Sequence, residues 1–139
     1  MQQALDELVY DTAGQGFYEI TGDVETWVRR QEFQAGILTI YIRHTSASLV
    51  IQENIDPDVQ HDMLDWFRQA VPEELANYRH TAEGADDQPA HIRAAMTPTH
   101  LAIPLREGRL QLGRYQGIFL FEHRIKGRSR HLSLHLMGT

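Results

Sequence analysis

The segment His131–Leu136 constrains the fold most, because every second residue in it is leucine and the residues between are histidine or serine. Side chains of a β-strand point alternately to its two faces, so this spacing predicts a strand with one buried face. Ile37–Arg43 is rich in β-branched and aromatic residues and predicts a central strand. Leu101–Leu105 and Leu110–Leu112 flank a Glu-Gly pair and predict a hairpin. A sheet therefore forms the framework of the predicted fold.

Two stretches have the spacing of amphipathic helices. The first covers residues 24–34 and is predicted to end at Gly36, and the second begins at Asp56-Pro57, because Asp caps a helix and Pro fits its first turn. A short third helix is predicted over residues 91–96. The strands flank both main helices at spacings that suit antiparallel pairing better than repeated βαβ units. We therefore predict one α+β domain over residues 1–139, with a mixed or antiparallel sheet or sandwich core.

Composition excludes several classes of protein. Hydrophobic residues make up 42% of the chain, which is enough for a core, and a net charge of -6 argues against a nucleic-acid-binding protein. The absence of cysteine excludes disulfides and thiolate metal sites. The N-terminal residues do not resemble a signal peptide, and no apolar run approaches the roughly 20 residues of a membrane span. We predict a cytoplasmic protein that contacts neither nucleic acid nor membrane.

The polar segment His44–Ser48 directly follows the predicted central strand. Its small hydroxyl groups suit an oxyanion or a phosphate, with His44 as a hydrogen-bond donor or an acid/base group. A polar turn with a capping histidine explains the same residues, and the residue types leave both interpretations open.

The long polar stretch from Glu73 to Pro89, together with the histidine that follows it, holds the densest group of metal-ligand types. It contains His80, Glu83, Asp87 and His91, whose nitrogen and oxygen atoms suit zinc or another divalent ion. The pair Asp86-Asp87 also suits magnesium bound to a diphosphate. The spacing matches no standard zinc motif, so a solvated acidic loop with incidental histidines remains an alternative.

Two later segments have weaker signals. Gly113–Gly117 is predicted to be a turn with glycines at positive φ, in which Gln116 could also line a pocket. Residues 122–131 form the basic patch of the chain, which suits either an approaching anion or a solvated hairpin tip. His123 lacks clustered acidic neighbours in the sequence and is interpreted as structural or exposed.

These clusters, in this order, resemble the YjbQ family, also called UPF0047. The strings that carry the resemblance lie at residues 44–49, 53–54, 56–57, 61–63, 83–87, 89–92, 108–111, 113, 116–118 and 122–125. The resemblance implies a YjbQ-like α+β fold, a homotrimer and a single pocket for the polar signatures. Matched residue by residue, the pocket would hold His44, Ser46, Ser48, Asn54, His80, Glu83, Asp87, His91, Gln116, Glu122 and Arg130.

The resemblance also implies a transferase reaction, thiamine-phosphate synthesis, which joins a pyrimidine diphosphate to a thiazole phosphate. Metal-dependent hydrolysis of a phosphorylated metabolite and non-enzymatic binding of an anionic metabolite by the trimer are the alternatives. The candidate catalytic residues are His44, Glu83 and Glu122. The candidate anion-binding residues are Ser46, Ser48, Asn54, Gln116 and Arg130. The candidate ligands of a divalent metal, zinc or magnesium, are His44, His80, His91 and Asp87.

Overall fold

Eight strands form two antiparallel sheets in the computed structural model, which describes residues 1–139. The five-stranded sheet contains, in spatial order, β1 (Gln2–Asp11), β8 (Ser129–Gly138), β3 (Ala35–Ile42), β5 (His100–Arg106) and β6 (Arg109–Leu110). The three-stranded sheet contains β2 (Gly16–Glu19), β7 (Gln116–Glu122) and β4 (Ala47–Glu53). Every pairing is antiparallel, which confirms the antiparallel form of the predicted core.

Three α-helices accompany the sheets: α1 (Thr21–Gln31), α2 (Pro57–Ala70) and α3 (Asp87–Met96). The two predicted main helices are α1 and α2. The third helix begins four residues earlier than predicted, and this extension brings Asp87 into its first turn. None of the helices combines the length and the apolar character that crossing a bilayer would require.

The core lies between the two sheets. Leu132, Leu134 and Leu136 of β8 are almost fully buried and belong to the same cluster as Leu49 and Leu120 of the facing sheet. The predicted alternation in β8 is thereby confirmed. Burial of each such side chain contributes roughly 1.5–3 kcal/mol to folding.

Helix α2 covers the outer face of the three-stranded sheet. The ring of Phe67 meets that of Phe121 edge-on at 5.4 Å, in a small second cluster with Phe119. The helix begins as predicted, because the Asp56 side chain accepts a hydrogen bond of 2.9 Å from the Asp58 backbone N–H. The three-stranded sheet is therefore covered on both faces.

Gly36 does not end α1, contrary to the sequence-based prediction. The helix ends at Glu32, which adopts the left-handed conformation with φ 59°. Gly36 lies inside β3, where a Cβ atom would be 2.0 Å from the carbonyl oxygen of Met137. The glycine is needed for the close approach of β3 to β8, which no local pattern reveals.

The outer face of the five-stranded sheet is exposed. Strand register places Leu5, Val9, Ile37, Tyr41 and Met137 on this one face, and each of these side chains is exposed. No helix covers them. Glu7, Thr39, His131 and His135 lie between them on the same face, so the surface is mixed, as interfaces between protein chains commonly are.

Candidate functional site

The first turns of α3 bring together a group of metal-ligand side chains. Asp87 and His91 are four residues apart and therefore share one face of the helix. His80 reaches the same place from the preceding loop. One ligand atom from each of the three residues lies within 4.8 Å of the other two. We call His80, Asp87 and His91 the α3 cluster.

Asp87 forms the floor of the α3 cluster. Its side chain is 1% exposed, and its Oδ2 atom is 2.7 Å from His80 Nε2 and 3.3 Å from His91 Nε2. Its Oδ1 atom accepts a hydrogen bond of 2.7 Å from Arg124. One carboxylate oxygen is thus held by the guanidinium while the other faces both imidazoles.

Hydrogen bonds from the Arg124 guanidinium hold this arrangement in place. Its Nε donates to Asp86 Oδ2 at 2.9 Å, and another guanidinium nitrogen donates to the Glu83 carbonyl at 3.0 Å. Asp86 also accepts from the Ile125 backbone N–H at 2.9 Å. The guanidinium therefore ties the loop before α3 to the chain that follows β7.

The charges around Asp87 keep it ionised. Burial alone would raise its pKa, but the hydrogen bond from His80 and the charges of His91 and Arg124 outweigh burial. The pKa of Asp87 consequently lies below its ordinary value. An anionic oxygen is therefore available in the cluster at neutral pH.

A backbone oxygen orients His91. Its Nδ1–H donates to the Thr45 carbonyl at 2.7 Å, so in the neutral ring Nε2 carries the lone pair. That lone pair faces the Asp87 carboxylate at 3.3 Å, which is unfavourable unless a proton or a cation lies between them. The donor set therefore fits a divalent ion, for which two imidazole nitrogens and a carboxylate oxygen are suitable ligands.

His44 is not part of the α3 cluster. Its Nε2 accepts a hydrogen bond of 2.8 Å from the His131 backbone N–H. The ring lies with Arg43 and His131 in a separate shallow cleft of about 260 Å³. Burial, followed by the positive charges of Arg130 and His131, lowers the pKa of His44. The four predicted metal ligands thus divide into three that meet and one that lies apart.

Glu122 and Arg130 form an interior ion pair. Glu122 is fully buried, and Arg130 Nε donates to its Oε1 atom at 2.8 Å. Arg130 also donates to the Ser46 hydroxyl at 2.9 Å, and Thr12 donates to Glu122 at 2.6 Å. Burial would raise the pKa of Glu122, but these bonds lower it overall. This carboxylate has no open approach for a substrate.

Ser48 also lies in the interior. Its hydroxyl is 2.9 Å from His123 Nε2 and 2.6 Å from the hydroxyl of Thr97. Burial, aided by the charge of Arg93, lowers the pKa of His123 to about 3, so the ring is neutral. Because Ser48 and His123 are at most 1% exposed, their contact is a structural one.

Asn54 and Gln116 lie at the other end of the three-stranded sheet. Register pairs Ala47 with Glu122 at one end of β4 and Glu53 with Gln116 at the opposite end. Seven strand residues separate these ends by roughly 20 Å. The structure therefore does not bring Asn54 and Gln116 to the residues at the start of β4.

The glycines beside Gln116 differ from the prediction as well. Neither Gly113 nor Gly117 has a positive φ. Gly117 instead belongs to β7, where a Cβ atom would lie 2.7 Å from a carboxylate oxygen of Glu19. The glycine is needed for packing space, and this requirement arises from a contact with a distant part of the chain.

Sequence reasoning did not identify the residues that support the α3 cluster. Arg124 belongs to a basic patch and to a string that carries the family resemblance, but neither indicates a contact with Asp87, which is 37 residues away. The Thr45 carbonyl is a backbone atom and has no sequence signature.

Glu83 is exposed and contributes its carbonyl to Arg124, which places it beside the cluster.

Comparison with known proteins places this fold and site in a family. A family model described as UPF0047 protein YjbQ-like matches residues 7–139. The chain belongs to the YjbQ/UPF0047 family. A UPF0047 protein of Synechocystis sp. is 44% identical over 137 residues, which cover 99% of this chain and 93% of that protein. The UPF0047 protein YjbQ of Escherichia coli O157:H7 is 42% identical over 94% of this chain and 95% of its own length.

Solved structures of other proteins share the YjbQ-like fold. A YbjQ-like protein of unknown function from Sulfolobus solfataricus has a TM-score of 0.90 and is 25% identical. The match covers 99% of each chain. A conserved hypothetical protein from Thermus thermophilus has a TM-score of 0.84 and 32% identity over 95% of this chain and 99% of that one. Membership of the YjbQ family confirms the predicted fold and assigns no reaction.

Proposed function

We propose that this YjbQ-family protein binds a divalent transition-metal ion in the α3 cluster and uses it to hydrolyse a small phosphorylated metabolite. The supporting observation is the convergence of His80, Asp87 and His91, whose ligand atoms lie within 4.8 Å of one another. Two imidazoles and one carboxylate suit zinc better than magnesium, which prefers oxygen ligands.

The residues around the cluster prepare it for a cation. The Thr45 carbonyl fixes the His91 tautomer, and Arg124 holds the Asp87 oxygen that faces away from the imidazoles. His80 and His91 are 51% and 31% exposed, so a ligand approaches from their side while Asp87 closes the floor. A bound ion would supply Lewis-acid polarisation of a phosphoryl oxygen and a position for water.

Ion binding requires a proton to leave the cluster. Without a metal, His80 Nε2–H donates to Asp87 Oδ2 across 2.7 Å. That proton occupies the position a cation would take. Metal affinity should therefore fall as the pH is lowered and the imidazoles retain their protons.

We expect chelator-treated protein to take up a single zinc ion per chain in isothermal titration calorimetry. Each of three substitutions should weaken zinc binding: His80→Ala, His91→Ala and Asp87→Asn. Loss of a residue that only hydrogen-bonds to a metal ligand costs about 10- to 100-fold in affinity, so loss of a ligand itself should cost at least as much. His61→Ala, which removes an exposed histidine of α2, is the matched control and should bind normally. Equal affinity in all variants would contradict the proposal.

Hydrolysis is tested on the same proteins with a panel of phosphomonoesters and diphosphates. Phosphate release should require added metal and should disappear in His91→Ala. Metal binding without turnover of any substrate would favour the alternative of a non-enzymatic metabolite-binding protein.

Thiamine-phosphate synthesis, implied by the family resemblance, is the second candidate for the reaction. It needs magnesium beside a leaving diphosphate, and the oxygens of Asp86 and Asp87 that accept from Arg124 are already engaged. Geometry therefore supports hydrolysis more than synthesis. If the wild type forms thiamine phosphate from the pyrimidine diphosphate and the thiazole phosphate, and Asp87→Asn does not, synthesis would become the favoured reaction.

The proposal includes a homotrimer in the cytoplasm. The family resemblance suggests the trimer, and the exposed outer face of the five-stranded sheet offers a surface for a second copy of the chain. The cytoplasmic location stays a prediction from the sequence, which cell fractionation would check.

A further inference from the structure

A second cavity lies behind the α3 cluster and takes no part in the proposed function. It has a volume of about 330 Å³, and its lining residues are Gln15, Arg68, Glu73, Arg93 and Ile125. Only one of the five residues is apolar. The cavity is large enough for a small metabolite, because ligand pockets begin at roughly 300 Å³.

Arg93 is the unusual residue of this cavity. Its side chain is 4% exposed, and its NH2 group donates to the Val71 carbonyl at 2.9 Å. Its Nε atom is buried without any hydrogen-bond partner, and the Glu73 carboxylate is 3.7 Å from the guanidinium. A buried cation with an unsatisfied donor is costly, and an anion in the cavity would stabilise its charge although the Nε atom itself is enclosed.

The other lining groups add positive charge and a neutral donor. Arg68 is 54% exposed and has a surface pair with Asp65 at 3.2 Å. The Gln15 amide donates to Glu73 at 2.8 Å, so the lone carboxylate of the cavity is shared between the amide and Arg93. Among the lining residues two guanidiniums face one carboxylate, and the exposed pair of Arg68 with Asp65 is weak, so the cavity favours an anion.

The cavity and the α3 cluster are separate. His91 and Arg93 are two residues apart on α3 and therefore point to roughly opposite sides of the helix. The Arg124–Asp86 ion pair lies at the boundary, because Ile125 of the cavity donates its backbone N–H to Asp86 at 2.9 Å. An anion in this cavity would not need to touch the metal ligands.

We infer that this cavity is a second ligand site, which binds the phosphate or carboxylate group of a small metabolite through Arg93 and Arg68. The charge of Arg93 attracts either group, and the exposed guanidinium of Arg68 offers N–H donors that match their oxygens. Glu73 limits the affinity by repelling the anion, and its contact with the Arg93 guanidinium offsets part of its charge.

The test uses inorganic phosphate and, separately, acetate as probes on the full chain, at constant ionic strength. The protein is the His91→Ala variant without metal, so that failure of the metal site does not affect the result. NMR of the arginine Nε–H groups follows Arg93 directly, and calorimetry gives the affinity. Saturable phosphate or acetate binding that shifts the Arg93 Nε–H signal is expected, and the stronger probe identifies the class of ligand.

Two variants make the inference falsifiable without replacing the buried arginine. Arg68→Ala should weaken binding by about tenfold, the typical loss of a charge-assisted hydrogen bond. Glu73→Gln should strengthen binding by a similar factor, because it removes the repelling charge. Arg106→Ala, an exposed arginine elsewhere, should change nothing. The absence of saturable binding, or equal binding by all three variants, would overturn the inference.

Discussion

At the residue scale, the two carboxylate oxygens of Asp87 have different roles. One is bonded to a guanidinium and stabilises the fold, and the other faces the imidazoles of the α3 cluster. Arg124 occupies Oδ1, whereas Oδ2 meets His80 and His91. The carboxylate is thereby oriented before any ligand arrives. Orientation of a ligand residue by an outer partner is what metal sites generally require.

The buried His123 makes stability depend on pH. Its pKa is about 3 in the folded protein against 6.5 for an unperturbed histidine, so between these values only the unfolded chain binds the extra proton. The free energy of unfolding should therefore decrease as the pH falls through this window, by up to about 1.4 kcal/mol per pH unit from this residue. Urea unfolding of the wild type across the window measures the slope.

The contribution of His123 is isolated by substitution. His123→Gln should flatten the slope, and a residual dependence remains from His44 and from the carboxyls of Asp86, Asp87 and Glu122, whose pKa values are also lowered. His61→Gln, at an exposed position, should keep the wild-type slope. If His123→Gln and the wild type lose stability equally on acidification, the buried neutral ring is not the cause.

Residue chemistry predicted part of the site. His80, Asp87 and His91 were chosen as ligands from their types alone, and their atoms do converge. His44 was chosen with them, but its ring nitrogen is engaged by the His131 backbone. Composition indicates which side chains are able to bind a metal, whereas hydrogen bonds to distant backbone atoms decide which of them are free to do so.

At the scale of elements, the start of α3 depends on charge rather than on a cap. Asp86 precedes the helix but makes no capping bond to it, because its side chain is bonded to Arg124 and to the Ile125 backbone. The helix and the segment after β7 are therefore held together by one guanidinium. The sequence-based prediction, residues 91–96, covers only the later turns of α3.

Arg124→Ala should destabilise the protein strongly. It leaves the buried Asp87 carboxylate without its guanidinium partner, and loss of one member of a buried ion pair costs roughly 3–5 kcal/mol. Arg29→Ala, which breaks the exposed pair with Glu25 at 3.9 Å, should cost no more than about 1 kcal/mol. Urea denaturation gives both values, and similar small losses in the two variants would contradict this role of Arg124.

At the scale of the molecule, the order of strands was not predictable from the sequence. The alternation in β8 predicted its buried face, but not that β8 lies between β1 and β3. A hydrophobic pattern records which side of a strand is buried and carries no information about its neighbour. Gly36 was misassigned for the same reason, since its requirement arises from contact with β8.

The proposed trimer is expected to form its contact on the exposed face of the five-stranded sheet. Tyr41→Asp should place a charge in the apolar contact and convert a trimer to monomers, as measured by light scattering coupled to size-exclusion chromatography. Circular dichroism should remain unchanged, because Tyr41 is 49% exposed within the single chain. Leu75→Asp changes an exposed apolar residue outside the sheet and should leave the trimer intact. A wild type that is already monomeric would contradict the assembly.

The most direct test of the account is to locate the metal in a crystal by anomalous scattering at the zinc edge after brief exposure to zinc. We predict a peak about 2.0–2.2 Å from His80 Nε2, His91 Nε2 and an oxygen of Asp87. A crystal that shows no peak among these three residues, whether zinc lies elsewhere or nowhere, would contradict the proposed metal site.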